Sequence, residues 1–186
     1  MNLTNHQRLP YFSVVFALGL SSLGCNNSQD MEKPTRPGRP VDVVPEPQEK
    51  LSFYTVDHYG EDRNVEEDLK MTIARASTEK KRILLQVGGD WCGWCKLLTA
   101  FIEKNAPVRT SLDRNYLLMK VTYTQKQPNE AFLSEYPKIK GYPHLFVLNA
   151  EGKLLHSQDT TPLEEGNGYN LDRILAFLDE WKPNKD

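Results

Sequence analysis

Cysteine is scarce in this chain, with three residues in 186. Neither a second Cys-x-x-Cys nor a His-x-x-x-His accompanies the one close pair, so a four-ligand zinc site would lack half its donors and no metal is expected. An excess of one charge is missing too. Lys and Arg number 23 against 25 Asp and Glu, a net charge of -2, and no basic stripe marks a nucleic-acid surface. Long apolar runs are absent as well: Tyr11 to Leu20 falls well short of the about 20 residues that a membrane-spanning helix needs. There is no internal repeat. From Leu51 onward about 135 residues remain, enough for one domain with one core and too few for two.

What is present begins with an export pattern. Residues 1-24 carry one basic side chain, Arg8, then the apolar run, then the small residues Ser21, Ser22 and Gly24, and they read as a signal peptide. Leu20-Ser21-Ser22-Leu23-Gly24-Cys25 resembles the lipobox of bacterial lipoproteins, although Ser22 stands where leucine is usual and Leu23 follows one place late. The resemblance implies lipidation of Cys25 and a membrane anchor on the periplasmic side of the cell envelope. The alternative is an ordinary cleaved signal with Cys25 incidental. Residues 25-50 contain Pro34, Pro37, Pro40, Pro45 and Pro47 among polar neighbours, the composition of an extended, disordered tether. The folded domain is expected over 51-186.

Within it, Asn64 with Glu67 three places on forms a capping box for a helix whose inner face carries Val65, Leu69, Ile73 and Ala76. Arg82 to Val87 is almost unbroken in apolar residues and predicts a strand buried on both faces. A helix follows to about Asn105, with Leu98, Phe101 and Ile102 inward and Pro107 marking its end. Tyr116 to Tyr123 predicts a strand, Asn129 to Tyr136 a short helix, and His144 to Leu148 with Lys153 to His156 a hairpin around Asn149-Ala150-Glu151-Gly152. A last helix from Asn170 places Leu171, Ile174, Leu175, Leu178 and Trp181 on one stripe. The order from Arg82 is strand, helix, strand, helix, strand, strand, helix.

Two of the three cysteines lie in Trp91-Cys92-Gly93-Trp94-Cys95, between the first of these strands and its helix. A helix N-terminus offers unpaired N–H groups and the positive end of the macrodipole, which favours thiolate at Cys92. Cys95, one turn further in, lies on the same face and can bond to it. Cys92 is therefore the expected solvent-accessible nucleophile and Cys95 the more buried resolving thiol.

The element order, this motif and Gly141-Tyr142-Pro143 before a strand resemble the thioredoxin family, over roughly residues 55 to 183. The resemblance implies an α/β thioredoxin fold with a mixed central sheet and helices on both faces. It implies a cis Pro143 facing the cysteine pair, and a substrate groove formed by Trp91, Gly93, Trp94, Tyr142 and Pro143. Trp91 is expected to pack against the sheet. Gln86 departs from the family, which places a buried acid there to move a proton for the second cysteine; glutamine cannot titrate. The implied function is a monomeric thiol–disulfide oxidoreductase of the envelope, reducing protein disulfides with electrons from an envelope donor and needing no cofactor beyond the Cys92-Cys95 pair. The competing reading is a redox-inert binding module, or a copper-handling one in which His144 joins the cysteines.

Overall fold

A computed structural model describes residues 51-184. The expected signal peptide, Cys25 and the tether lie outside the described residues. Five strands form one sheet in the order β1-β3-β2-β4-β5: β1 (Tyr54–Val56), β2 (Arg82–Gly88), β3 (Tyr116–Thr122), β4 (His144–Leu148) and β5 (Leu154–Asp159). Strands β1, β3 and β2 run parallel, whereas β4 and β5 are antiparallel additions. A small hairpin, β6 (Glu164–Glu165) with β7 (Gly168–Tyr169), stands apart from the sheet.

The period of two along each strand sorts the core into two layers. Ile83, Leu85 and Val87 of β2 meet Leu117, Met119, Val121, Phe146 and Leu148 on one face. Helix α1 (Val65–Glu79) and the short α4 (Glu130–Leu133) cover that face, with Val65, Ala76 and Phe132 buried. The alternate residues, Leu84, Leu118, Leu145 and Val147, meet α2 (Gly93–Lys104), α3 (Ala106–Asn115) and α5 (Leu171–Glu180) on the other.

Local signals explain most boundaries. The Asn64 side chain accepts the N–H of Glu67 at 3.0 Å, and Asn170 accepts that of Arg173 at 3.0 Å, so both helices begin where a side chain satisfies a free donor. Lys80 closes α1 in the left-handed conformation. The hairpin forms as expected, with Asn149 Oδ1 accepting the N–H groups of Glu151 and Lys153.

Helix α3 is the correction. Pro107 does follow the end of α2, but it lies in the first turn of a further helix. A proline there lacks only an N–H that would have no intrahelical partner, and its fixed φ suits the start of a helix. Asn105 ends one helix and starts the next, and Val108 and Leu112 of α3 are buried. Strands β1, β6 and β7 were also outside the expected order; each spans two or three residues, too few to show a period.

Candidate active site at the start of the second helix

Strand β2 delivers the chain to the cysteine motif through Gly88 and Gly89. The Cys92 N–H donates to Gly89 O at 3.0 Å, and Cys92 takes extended backbone angles as the N-cap of α2. Its sulfur accepts the N–H of Cys95 at 3.1 Å, occupying the anion-favouring end of the helix. Cys92 and Cys95 are joined in a disulfide, with Cα atoms 5.2 Å apart. The residues are 4% and 0% exposed. Cys95 is the deeper, as expected, but Cys92 is itself covered and not the solvent-accessible thiol expected from the sequence. Gly93 and Lys96 beside it are exposed.

A polar floor lies beneath the pair. A Cβ on Gly88 would stand 2.4 Å from Cys95 Sγ and 3.1 Å from the Tyr59 hydroxyl, so only a glycine lets both groups reach this point of the strand. Gln86, fully buried, donates from Nε2 to the Tyr59 oxygen at 2.9 Å, while its Oε1 has no partner among the described residues. Lys120 stands opposite Gln86 in the β2–β3 ladder, 5.4 Å from the centre of the Tyr59 ring and 5.6 Å from that of Tyr54. Burial pushes the Lys120 ammonium below its ordinary pKa despite the attraction of Glu103, Asp57 and Asp90. Burial likewise raises the Tyr59 phenol, so it stays protonated.

Aromatic rings wall one side. Trp91 is 57% exposed and does not pack against the sheet as expected. Its indole N–H donates to the Tyr123 carbonyl at 2.7 Å, a contact that turns the ring over the surface, and it meets Tyr142 edge-on at 5.5 Å. Gly89 permits this, since a Cβ there would lie 2.5 Å from the indole nitrogen. Tyr142 stacks on Tyr123 at 4.9 Å, and burial beside that ring raises its hydroxyl to about 12. Trp91, Tyr59, Asp90, Glu61 and Tyr123 line a cleft of about 710 Å³.

The Tyr142–Pro143 peptide is cis, as the resemblance implies. His144 pairs with Val87, which places Pro143 beside Gly88 at the end of the sheet that carries the disulfide. The Pro143 carbonyl accepts the Thr160 hydroxyl at 3.0 Å. On the far side of the motif, Trp94 is half-buried, edge-on to Tyr169 at 5.7 Å, and its carbonyl accepts the Tyr169 hydroxyl.

His144 does not join the cysteines. It alternates with Leu145 and so lies on the face of Phe146, whereas Gln86 and Cys95 belong to the opposite face. Its Nε2 is 2.9 Å from the Ser157 hydroxyl, and burial pushes its pKa below the ordinary value.

Residues 64–150 match the family described as thioredoxin-like. The fold superposes on a disulphide isomerase from Xylella fastidiosa Temecula1 with a TM-score of 0.54, 21% identity and coverage of 66% of this chain and 94% of that one. It also superposes on the oxidised C-terminal domain of DsbD from Neisseria meningitidis, with a TM-score of 0.52, 18% identity and coverage of 67% and 99%. The described part of this chain has the thioredoxin fold. Among curated proteins, the thiol:disulfide interchange protein DsbD of Klebsiella pneumoniae is 23% identical over 109 residues, 59% of this chain. The match spans 17% of that protein's length. In a thioredoxin-like domain, a cysteine pair closing a disulfide across the first turn of this helix has the arrangement of a thiol–disulfide oxidoreductase.

The cysteines, Gln86 and the cis proline are legible in the sequence, whereas Tyr59, Gly88, Lys120 and Tyr123 enter the site only through the fold. Lys120 had a visible sign, a charge inside the apolar run Leu117 to Val121. Tyr59 had none, because its contact with Gln86 crosses 27 residues.

Proposed function

We propose that the protein reduces disulfides of other proteins, with Cys92 as attacking and Cys95 as resolving thiol. The observation that carries this is the placement of the Cys92 sulfur as N-cap of α2, where the Cys95 N–H holds it in the bonded state and would hold a thiolate in the reduced one. The wall of Trp91, Tyr123 and Tyr142 gives an extended substrate segment an apolar surface next to that sulfur. Electrons come from an envelope thiol donor, and the chain is held there by lipid on Cys25. The export pattern and the tether support that location. A copper site with His144 is disfavoured by the sheet, which stands between the histidine and the cysteines.

The test is trapping. Each single Cys→Ser variant of the reduced protein is mixed with insulin, and the mixed disulfide is counted by non-reducing electrophoresis. Cys95→Ser should accumulate it, because Cys92 attacks and nothing resolves the bond, while Cys92→Ser should not. Accumulation in Cys92→Ser alone reverses the two roles. Wild-type protein that leaves insulin oxidised in the presence of a thiol donor overturns the activity itself.

A further inference from the structure

The proposed reduction has one unmet requirement. Cys92 thiolate attacks one sulfur of the substrate disulfide, and the other sulfur leaves as a thiolate that takes a proton from water. Cys95 must then lose its own thiol proton and attack Cys92 Sγ. The Cys92–Cys95 bond forms, the mixed disulfide breaks, and the second substrate sulfur leaves as a thiolate; two electrons have passed from the dithiol to the substrate. Cys95 is 0% exposed, so its proton needs an exit. The residue below it on β2 is Gln86, which carries no titratable proton.

The Tyr59 hydroxyl is placed to provide that exit. It and Cys95 Sγ share the space in front of Gly88, at 3.1 and 2.4 Å from the same point. The phenol oxygen accepts one hydrogen bond from Gln86 Nε2, which leaves it one lone pair and its own proton for other partners. Tyr59 is half-buried and lines the cleft, so its ring joins the covered sulfur to water. Resting on the function proposed above, we infer that Tyr59, aimed by Gln86, is the proton relay of Cys95. The thiol proton moves to the phenol oxygen as the phenol proton moves to water in the cleft, and Tyr59 ends as it began. Its hydroxyl then turns to donate to the Cys95 thiolate and stabilises it for attack.

The other groups facing Tyr59 do not take this part. Lys120 of β3 lies over the ring rather than at the hydroxyl, Asp90 precedes the helix on the exposed rim, and Tyr54 of β1 and Tyr169 of β7 act on Tyr59 through space.

The experiment uses the full chain with Cys92→Ser, whose serine can still cap α2. Peptide-resolved alkylation by iodoacetamide against pH gives the ionisation midpoint of Cys95 separately from that of Cys25. Adding Tyr59→Phe should raise the midpoint by about one unit, a tenfold loss of thiolate at neutral pH. In the otherwise wild-type chain, Tyr59→Phe should slow insulin reduction about tenfold near pH 7, with the gap closing above about pH 9, where Cys95 ionises without help. A purely structural role would lower the rate equally at every pH. An unchanged midpoint and a flat pH profile overturn the inference. If Tyr59→Phe does not fold, Gln86→Leu replaces it: it should move the midpoint in the same direction, and a wild-type midpoint in that variant is equally fatal. Wild-type protein that fails to reduce insulin while Tyr59→Phe still shifts Cys95 would remove the proposed function and leave this contact standing.

Discussion

At the scale of the residue, the site depends as much on an omitted side chain as on those present. Gly88 has no Cβ, and the space is filled by the Cys95 sulfur at a distance no Cβ tolerates. The flexible partner is absent here: the nearest obstacle is a sulfur fixed by its bond to Cys92. Gly88→Ala should therefore fold, because the strand accepts alanine, and should lose activity, because the cysteine pair must shift. A displacement of the order of an ångström at reacting atoms costs about a hundredfold. Insulin reduction beside an unchanged far-ultraviolet circular dichroism spectrum checks this; wild-type rates would mean that the pair relaxes freely. The cysteines were legible in the sequence because their chemistry fixes both residue type and spacing. Tyr59 was not, since the loop before α1 and the end of β2 meet only after the sheet has formed.

At the scale of the element, the sequence announces what is periodic or capped and hides what is short or begins unusually. Helices α1 and α5 have asparagine caps and apolar stripes, and β2 to β4 are apolar runs, so all five were legible. Helix α3 was obscured by Pro107, which signals an ending when read from α2 and a beginning when read from α3. Its buried residues show that it belongs to the core. Leu112 is 1% exposed against Ile174, Phe177 and Leu178 of the same cluster. Leu112→Ala should cost about 2–5 kcal/mol of stability, the usual range for a truncated core leucine. Urea unfolding measures it, and a loss below about 1 kcal/mol would make α3 a surface appendage.

At the scale of the whole molecule, location decides which disulfides the domain can meet. The proposed envelope location rests on Gly24-Cys25, which resembles a lipobox, and on the proline-rich sequence that follows. Two or more acyl chains hold a protein at a bilayer, where one is marginal. Cells fed a fatty-acid probe should label the wild-type chain and leave Cys25→Ala unlabelled. A wild-type chain that takes up no label and fractionates as soluble would make Cys25 part of a discarded leader.

The two faces of the sheet carry a consequence for how such a chain can drift. Cys95, Gln86 and Lys120 share one layer, and His144, Phe146 and α1 share the other, with a strand backbone between them. Groups without common neighbours contribute almost independently to stability. Mutations that repack the α1 layer can accumulate, be compensated or be reversed there without retuning the electron chemistry next door. The reverse holds for the cysteine layer. The substrate wall is the exception, because Tyr123 and Tyr142 pack against the α1 layer. A lineage can thus alter its cysteine chemistry and its tolerance of heat or acid on separate schedules, whereas its choice of redox partner is tied to both layers.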